Sequence, residues 1–242
     1  MLECSHAQDF PWDSFLMAVI PAPARRAALE SLVRRKARAQ RIITALRENY
    51  PEADCALTYH NAWQLLVATI LSAQCTDERV NKVTPGLFRR FRSIKAFAGA
   101  GLEEIQEEIR STGFFRNKAR SIQGAARAII ADHNGRVPKG MADLTALPGV
   151  GRKTAHVVRG TFFGLPAITV DTHVGRLSRR LGLSRHTDPV KVEGDLEEVL
   201  PEADRTYTSH ALIWHGRRIC GARRPACEAC SMIPFCPSAG LF

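Results

Sequence analysis

The chain of 242 residues has no apolar run near the roughly 20 residues needed to span a bilayer, because its best candidate, Phe15 to Ala24, is short and broken by Pro21 and Pro23. That excludes a transmembrane helix. The same stretch lacks a basic leader and follows Glu3, Asp9 and Asp13, which argues against a secretory signal. Period-2 alternation is scarce, so a β-rich fold is set aside, and only Ile168 to Val170 hints at extended chain. There is no internal repeat and no low-complexity tract. Acidic residues are also short, 24 against 34 Lys and Arg, leaving a net charge of +10. Such an excess points to a polyanionic partner, nucleic acid first and an anionic membrane surface second.

Apolar residues recur instead at helical spacing: Leu32, Ile42, Ile43 and Leu46; Leu65, Leu66, Ile70 and Leu71; Ile122, Ala125, Ala126 and Ile129. The chain reads as all-α. Thr76 or Asp77 is placed to cap the helix carrying Val80, and Gly113, Gly135, Gly149, Gly151, Gly160 and Gly182 fall between periodic segments. Arg34 to Arg41 is a dense basic run, read either as a solvated helix face or as a DNA contact.

Seven cysteines are an odd number, and four of them crowd into the last 23 residues, a pattern of a reduced compartment and a metal site rather than of bridges. Cys220, Cys227, Cys230 and Cys236 are separated by six, two and five residues. A four-cysteine zinc site usually presents two close pairs, and only one is present here. The uneven spacing suits a [4Fe-4S] centre better, with zinc as the alternative. The loop between the first two ligands carries Arg223 and Arg224, a suitable phosphate hook on a short metal-anchored arc. Cys4, Cys55 and Cys75 have no companions at ligand spacing and read as buried or idle thiols.

The segment Leu144 to Ala155 reads as a short helix, a tight Leu147-Pro148-Gly149-Val150-Gly151 turn, and a second helix opening at Arg152 and Lys153. Two glycines separated by one residue let the backbone fold sharply and expose amides at the positive end of the second helix, a concavity that suits a phosphate. The same pattern also serves as a simple turn. Lys153 falls in the first turn, where the helix dipole disfavours an ammonium and so favours the neutral, nucleophilic amine; it reads equally as one more phosphate contact beside Arg152. Eighteen residues on, Asp171 stands where an N-cap is expected, in Val170-Asp171-Thr172-His173. A cap carboxylate is held rigidly, and a cap is all that Asp171 by itself implies. His173 is read as structural or as a phosphate contact.

Together, the Leu-Pro-Gly-Val-Gly-Arg-Lys-Thr-Ala hairpin, the Val-Asp-Thr-His helix start and the cysteine spacing resemble the endonuclease III family of helix-hairpin-helix DNA glycosylases. Ile70 to Asp77, Val80-Asn81 to Thr84-Pro85, and Gly113-Phe114 to Asn117-Lys118-Ala119 extend the resemblance, which covers roughly residues 35–240. It implies an all-α protein of two helical domains with a DNA-binding groove between them: a six-helix domain over 55–165, and an iron-sulfur cluster domain assembled from 34–54 and 166–242, behind an N-terminal extension over 1–33. It implies a bifunctional glycosylase and abasic-site lyase acting on double-stranded DNA with oxidised pyrimidines or abasic sites. Lys153 would be the nucleophile, Asp171 the essential carboxylate, and the four cysteines the ligands of one [4Fe-4S] cluster. Gln74 would fill the space left by an extruded nucleotide, and Phe114 would wedge beside the orphaned base, although Phe115 competes for that role. A monomer in the cytoplasm, on the nucleoid if bacterial, is expected. The chain departs from the family in a bulky Phe114 where a smaller aliphatic is usual and in His156 where Asn is usual, which leaves opposite-base preference and pocket grip open. An adenine-mismatch glycosylase is disfavoured by Lys153, and a non-catalytic DNA-binding module by the intact Lys153 and Asp171.

Overall fold

The computed structural model describes residues 30–241. The extension expected over 1–33 therefore lies almost wholly outside the described residues. Eleven α-helices are present among them: α1 (Leu32–Asn49), α2 (Ala62–Leu71), α3 (Asp77–Arg90), α4 (Ile94–Gly99), α5 (Leu102–Glu108), α6 (Phe115–Asp132), α7 (Met141–Ala146), α8 (Arg152–Val157), α9 (Thr172–Arg180), α10 (Pro189–Val199) and α11 (Arg205–Arg218). No strand occurs among the described residues, and Ile168 to Val170 runs as unpaired chain.

The helix starts follow side-chain chemistry. Ser31, Asn61, Thr76, Ser93, Asp171 and Asp188 each turn a side-chain oxygen onto an orphan amide of the first turn. Of the two cap candidates for α3, Thr76 is the one used. Gly160 departs from the expected punctuation: it lies inside a π-helical turn, Val158–Phe162, that continues α8. There a Cβ would approach Thr206 Oγ1 to 2.7 Å, so the glycine is a packing requirement and not a break.

Two apolar cores form. One runs from Leu57 to Val158 and centres on α2, wrapped by α3 to α8, with Phe97 stacked edge-on against Trp63. The other joins α1 (Ile42, Ile43, Leu46) to residues from Ile168 onward, chiefly Leu177, Leu196 and Leu212. The chain thus crosses to the first core after α1 and returns after the π-helical turn. The basic run is drawn into this second half: Arg35 donates to Leu183 O at 3.0 Å, and Arg38 to Gly182 O at 2.8 Å and to Glu30. These arginines stitch α1 onto the loop after α9.

Candidate active site

Residues from both cores meet at a pocket of about 600 Å³ that contains Lys153 and Asp171. Lys153 arrives on the first turn of α8 and is exposed. Asp171 is the N-cap of α9, and its Oδ1 accepts from Val174 N at 2.8 Å, which fixes the carboxylate while leaving Oδ2 outside that bond. Two residues 18 positions apart in sequence therefore share one cavity.

The rest of the wall was not singled out from sequence. Ile213 and Trp214 of α11 supply apolar faces, and Arg217 reaches across to Asp77 of α3 at 3.0 Å. Burial pushes His210 below its ordinary 6.5, leaving a neutral ring 3.1 Å from Thr161 Oγ1. Burial likewise pushes the Cys55 thiol up to about 11. His173 lies half-buried beside Arg176, 3.2 Å from Nδ1, and burial holds its ring down against the opposing pull of Asp171. His210, Ile213, Trp214 and Arg217 all come from α11 at ordinary helical spacing, so no local motif marks them.

The hairpin turn is built differently from the symmetrical two-glycine picture. Gly149 has φ +74°, and a Cβ there would overlap Ser121. Gly151 is an extended N-cap with open space at its Cβ position, so only the first glycine is needed by the backbone. Leu147 and Val150 are core residues, and the Val150 amide is spent on Leu147 O at 3.1 Å. Arg152 is also committed: it forks onto Glu193 of α10 with bonds of 2.9 and 2.6 Å. His156, the departure noted above, bonds the same carboxylate at 2.9 Å, and burial holds its ring below 6.5. Glu193 is itself buried, so this trio clamps the hairpin helix to α10.

Gln74 and Phe114 converge on a second groove, of about 620 Å³, which also includes Gly149. Phe114 is 66% exposed, whereas Phe115 packs on the first core, so Phe114 is the exposed ring of the pair. Gln74 (φ 51°) and Phe114 (φ 47°) are two of three non-glycine residues with positive φ among those described. Holding such residues in the left-handed region costs about 1 kcal/mol each.

The four C-terminal cysteines are all unbridged and line one cavity of about 420 Å³, floored by Leu177, Ile219 and Ile233. No three His, Cys, Asp or Glu side chains among the described residues converge as a single-ion site. Arg180 donates to Cys220 Sγ at 3.3 Å, and His215 Nε2 lies 3.5 Å from Cys230 Sγ. Arg180 also holds the loop after Cys220 through Gly221 O and Ala222 O, both at 2.7 Å, while Arg223 and Arg224 project into solvent.

Against known proteins, the family described as "HhH-GPD superfamily base excision DNA repair protein" matches residues 67–202. That sets the class: a DNA-repair protein of helix-hairpin-helix architecture. The chain is 53% identical to the endonuclease III of Synechocystis over 212 residues, covering 87% of this chain and 97% of that one. Two solved structures superpose with a TM-score of 0.79 each. One is a trapped endonuclease III–DNA covalent intermediate in an estranged-adenine complex, 43% identical and covering 83% of this chain and 95% of that one. The other is a non-covalent endonuclease III–DNA complex, 44% identical and covering 83% and 94%. The chain therefore belongs to the endonuclease III family of DNA glycosylases and abasic-site lyases. No helix of the described residues is long and apolar enough to cross a membrane.

Proposed function

We propose that this chain excises oxidised pyrimidines from double-stranded DNA and cuts the strand at the resulting or pre-existing abasic site. The observation that carries the reading is the placement of Lys153 and Asp171, from separate helices, in one pocket whose walls come from both cores. The neutral Lys153 amine attacks C1′ of the extruded nucleotide. The C1′–N bond breaks, and the base leaves with the electron pair and takes up a proton. Asp171 receives the proton lost by the lysine or stabilises the cationic sugar. Ring opening leaves a Schiff base, and loss of a C2′ proton then expels the 3′ phosphate, cutting on the 3′ side. Trp214 and Ile213 offer the apolar faces that an extruded base stacks on.

The two cores are the two domains of this reading, 55–165 and 34–54 with 166–242, and DNA lies across the groove between them. The Gly149 and Gly151 backbone, His173 and the exposed Arg223 and Arg224 are its phosphate contacts. The intramolecular bonds of Arg152 and Val150 give those two a structural part first. Gln74 and Phe114 fill the duplex. Cys220, Cys227, Cys230 and Cys236 share a cavity and would hold one [4Fe-4S] cluster, which their six-two-five spacing favours over the two close pairs of a zinc site. When bound, the cluster anchors the arginine loop. The protein works as a monomer in the cytoplasm.

Borohydride reduction tests the chemistry. Wild-type protein is expected to form a covalent adduct with DNA containing thymine glycol or an abasic site, and Lys153→Ala to form none; an undiminished adduct in the variant overturns the assignment. Purified protein is expected to be brown, with broad absorbance near about 400 nm; colourless protein with stoichiometric zinc overturns the cluster.

A further inference from the structure

Lys118 is a buried cation that the proposed chemistry does not use. It sits on the first turns of α6, 5% exposed, and among the described residues no carboxylate contributes to its electrostatics. A buried ammonium without a counterion is costly unless its protons are well placed. Two of them are. Nζ donates to Leu71 O at 2.7 Å and to Thr112 O at 2.8 Å. Leu71 ends α2, three residues before Gln74, and Thr112 ends the 3-10 turn Arg110–Thr112, two residues before Phe114. Both are helix-terminal carbonyls, the groups that most need a donor and that carry negative dipole ends. One ammonium thus bridges the two backbone turns on which the left-handed Gln74 and Phe114 ride, and Lys118 lies in the groove that contains both.

We propose that Lys118 is a positioning residue for strand intercalation: its ammonium ties the Gln74 and Phe114 turns together and holds both side chains ready to enter the duplex. This rests on the reading of Gln74 and Phe114 as the intercalating pair. Burial pushes the amine below its ordinary 10.5, so its charged form leans on the two carbonyls that accept from it. Among the described residues, half-buried Cys75 is the one titratable group that opposes that shift.

The test separates intercalation from chemistry. Holoenzyme carrying Lys118→Met, which keeps the length of the side chain and removes its donors, is assayed on an abasic site in duplex DNA and on the same site in a single strand, where no partner base has to be displaced. The duplex rate is expected to fall about tenfold, the scale of a misplaced positioning element, with the single-strand rate unchanged. The ratio of the two rates cancels the amount of folded protein. Should that variant not accumulate, Lys118→Gln, which keeps one donor group, is read by the same ratio and is expected to show a smaller fall. 2-Aminopurine opposite the site is the second readout: its fluorescence rises when wild-type protein unstacks it, and the rise is lost in the variant. An equal fall on both substrates, or an unchanged ratio with the fluorescence rise intact, overturns the role of Lys118. Absence of the rise in wild-type protein instead overturns the intercalating pair itself.

Discussion

The pocket of Lys153 and the groove of Phe114 lie on the same protein and are held by opposite means. In the pocket, the proposed reacting groups sit on relaxed backbone: Lys153 on an ordinary first helical turn and Asp171 as an ordinary N-cap with a 2.8 Å bond. In the groove, both candidate side chains are forced into left-handed backbone and the bridging cation is buried. A reacting group needs a direction and a proton balance, which helix ends provide at no strain. A wedge must instead stand out from the surface against the push of stacked bases, and only a turn over-determined by its surroundings keeps it there.

Five substitutions and one titration bear on this contrast. The largest effect belongs to Lys153→Ala, which is expected to lower strand cleavage by at least on the order of 10³-fold, with thermal stability unchanged because the side chain is exposed. Asp171→Asn keeps a capping side chain, so stability should hold within about 0.5 kcal/mol, while base excision falls on the order of 10²-fold or more. A loss of stability as large as the loss of rate would reduce Asp171 to a cap. Gly149→Ala meets both the positive φ and Ser121, and is expected to cost about 2 kcal/mol or more in denaturant unfolding. Phe114→Ala and Phe115→Ala should split: the first loses about tenfold in excision from duplex DNA with little change in stability, the second about 2 kcal/mol of stability. If the two exchange behaviour, Phe115 is the wedge.

The smallest effect is a pH slope. Burial holds the His156 and His210 rings below the ordinary 6.5. In the unfolded chain these rings bind protons that the native state refuses, so stability is full above about 6.5 and declines as pH falls below it. Melting temperature measured from about pH 7 down to about pH 5 should fall, and less steeply in His156→Asn. A slope unchanged by that substitution would remove His156 from the effect.

What sequence made legible follows from range. Asp171 as a cap and Thr76 as the start of α3 are visible because capping is settled within four residues. The cysteine set is visible because its ligands lie in one short segment. The choice between Phe114 and Phe115 is invisible, since it turns on one backbone angle that neither residue type prefers. Arg152 reads in sequence as a phosphate contact of the hairpin, but its partner Glu193 lies 41 residues away on another helix. The part played by Lys118 is illegible for a similar reason: its acceptors are main-chain carbonyls, which carry no residue identity to read. The pocket wall of Trp214 and Arg217 exists only once α11 is packed beside α3.

The central claim, that Lys153 is the attacking amine, is tested most directly by locating the bond. Borohydride-trapped protein on abasic DNA is digested with protease and nuclease, and the peptide carrying the reduced sugar remnant is sequenced by mass spectrometry. The account predicts the remnant on the Nζ of Lys153. Finding it on any other lysine, Lys118 included, would contradict it.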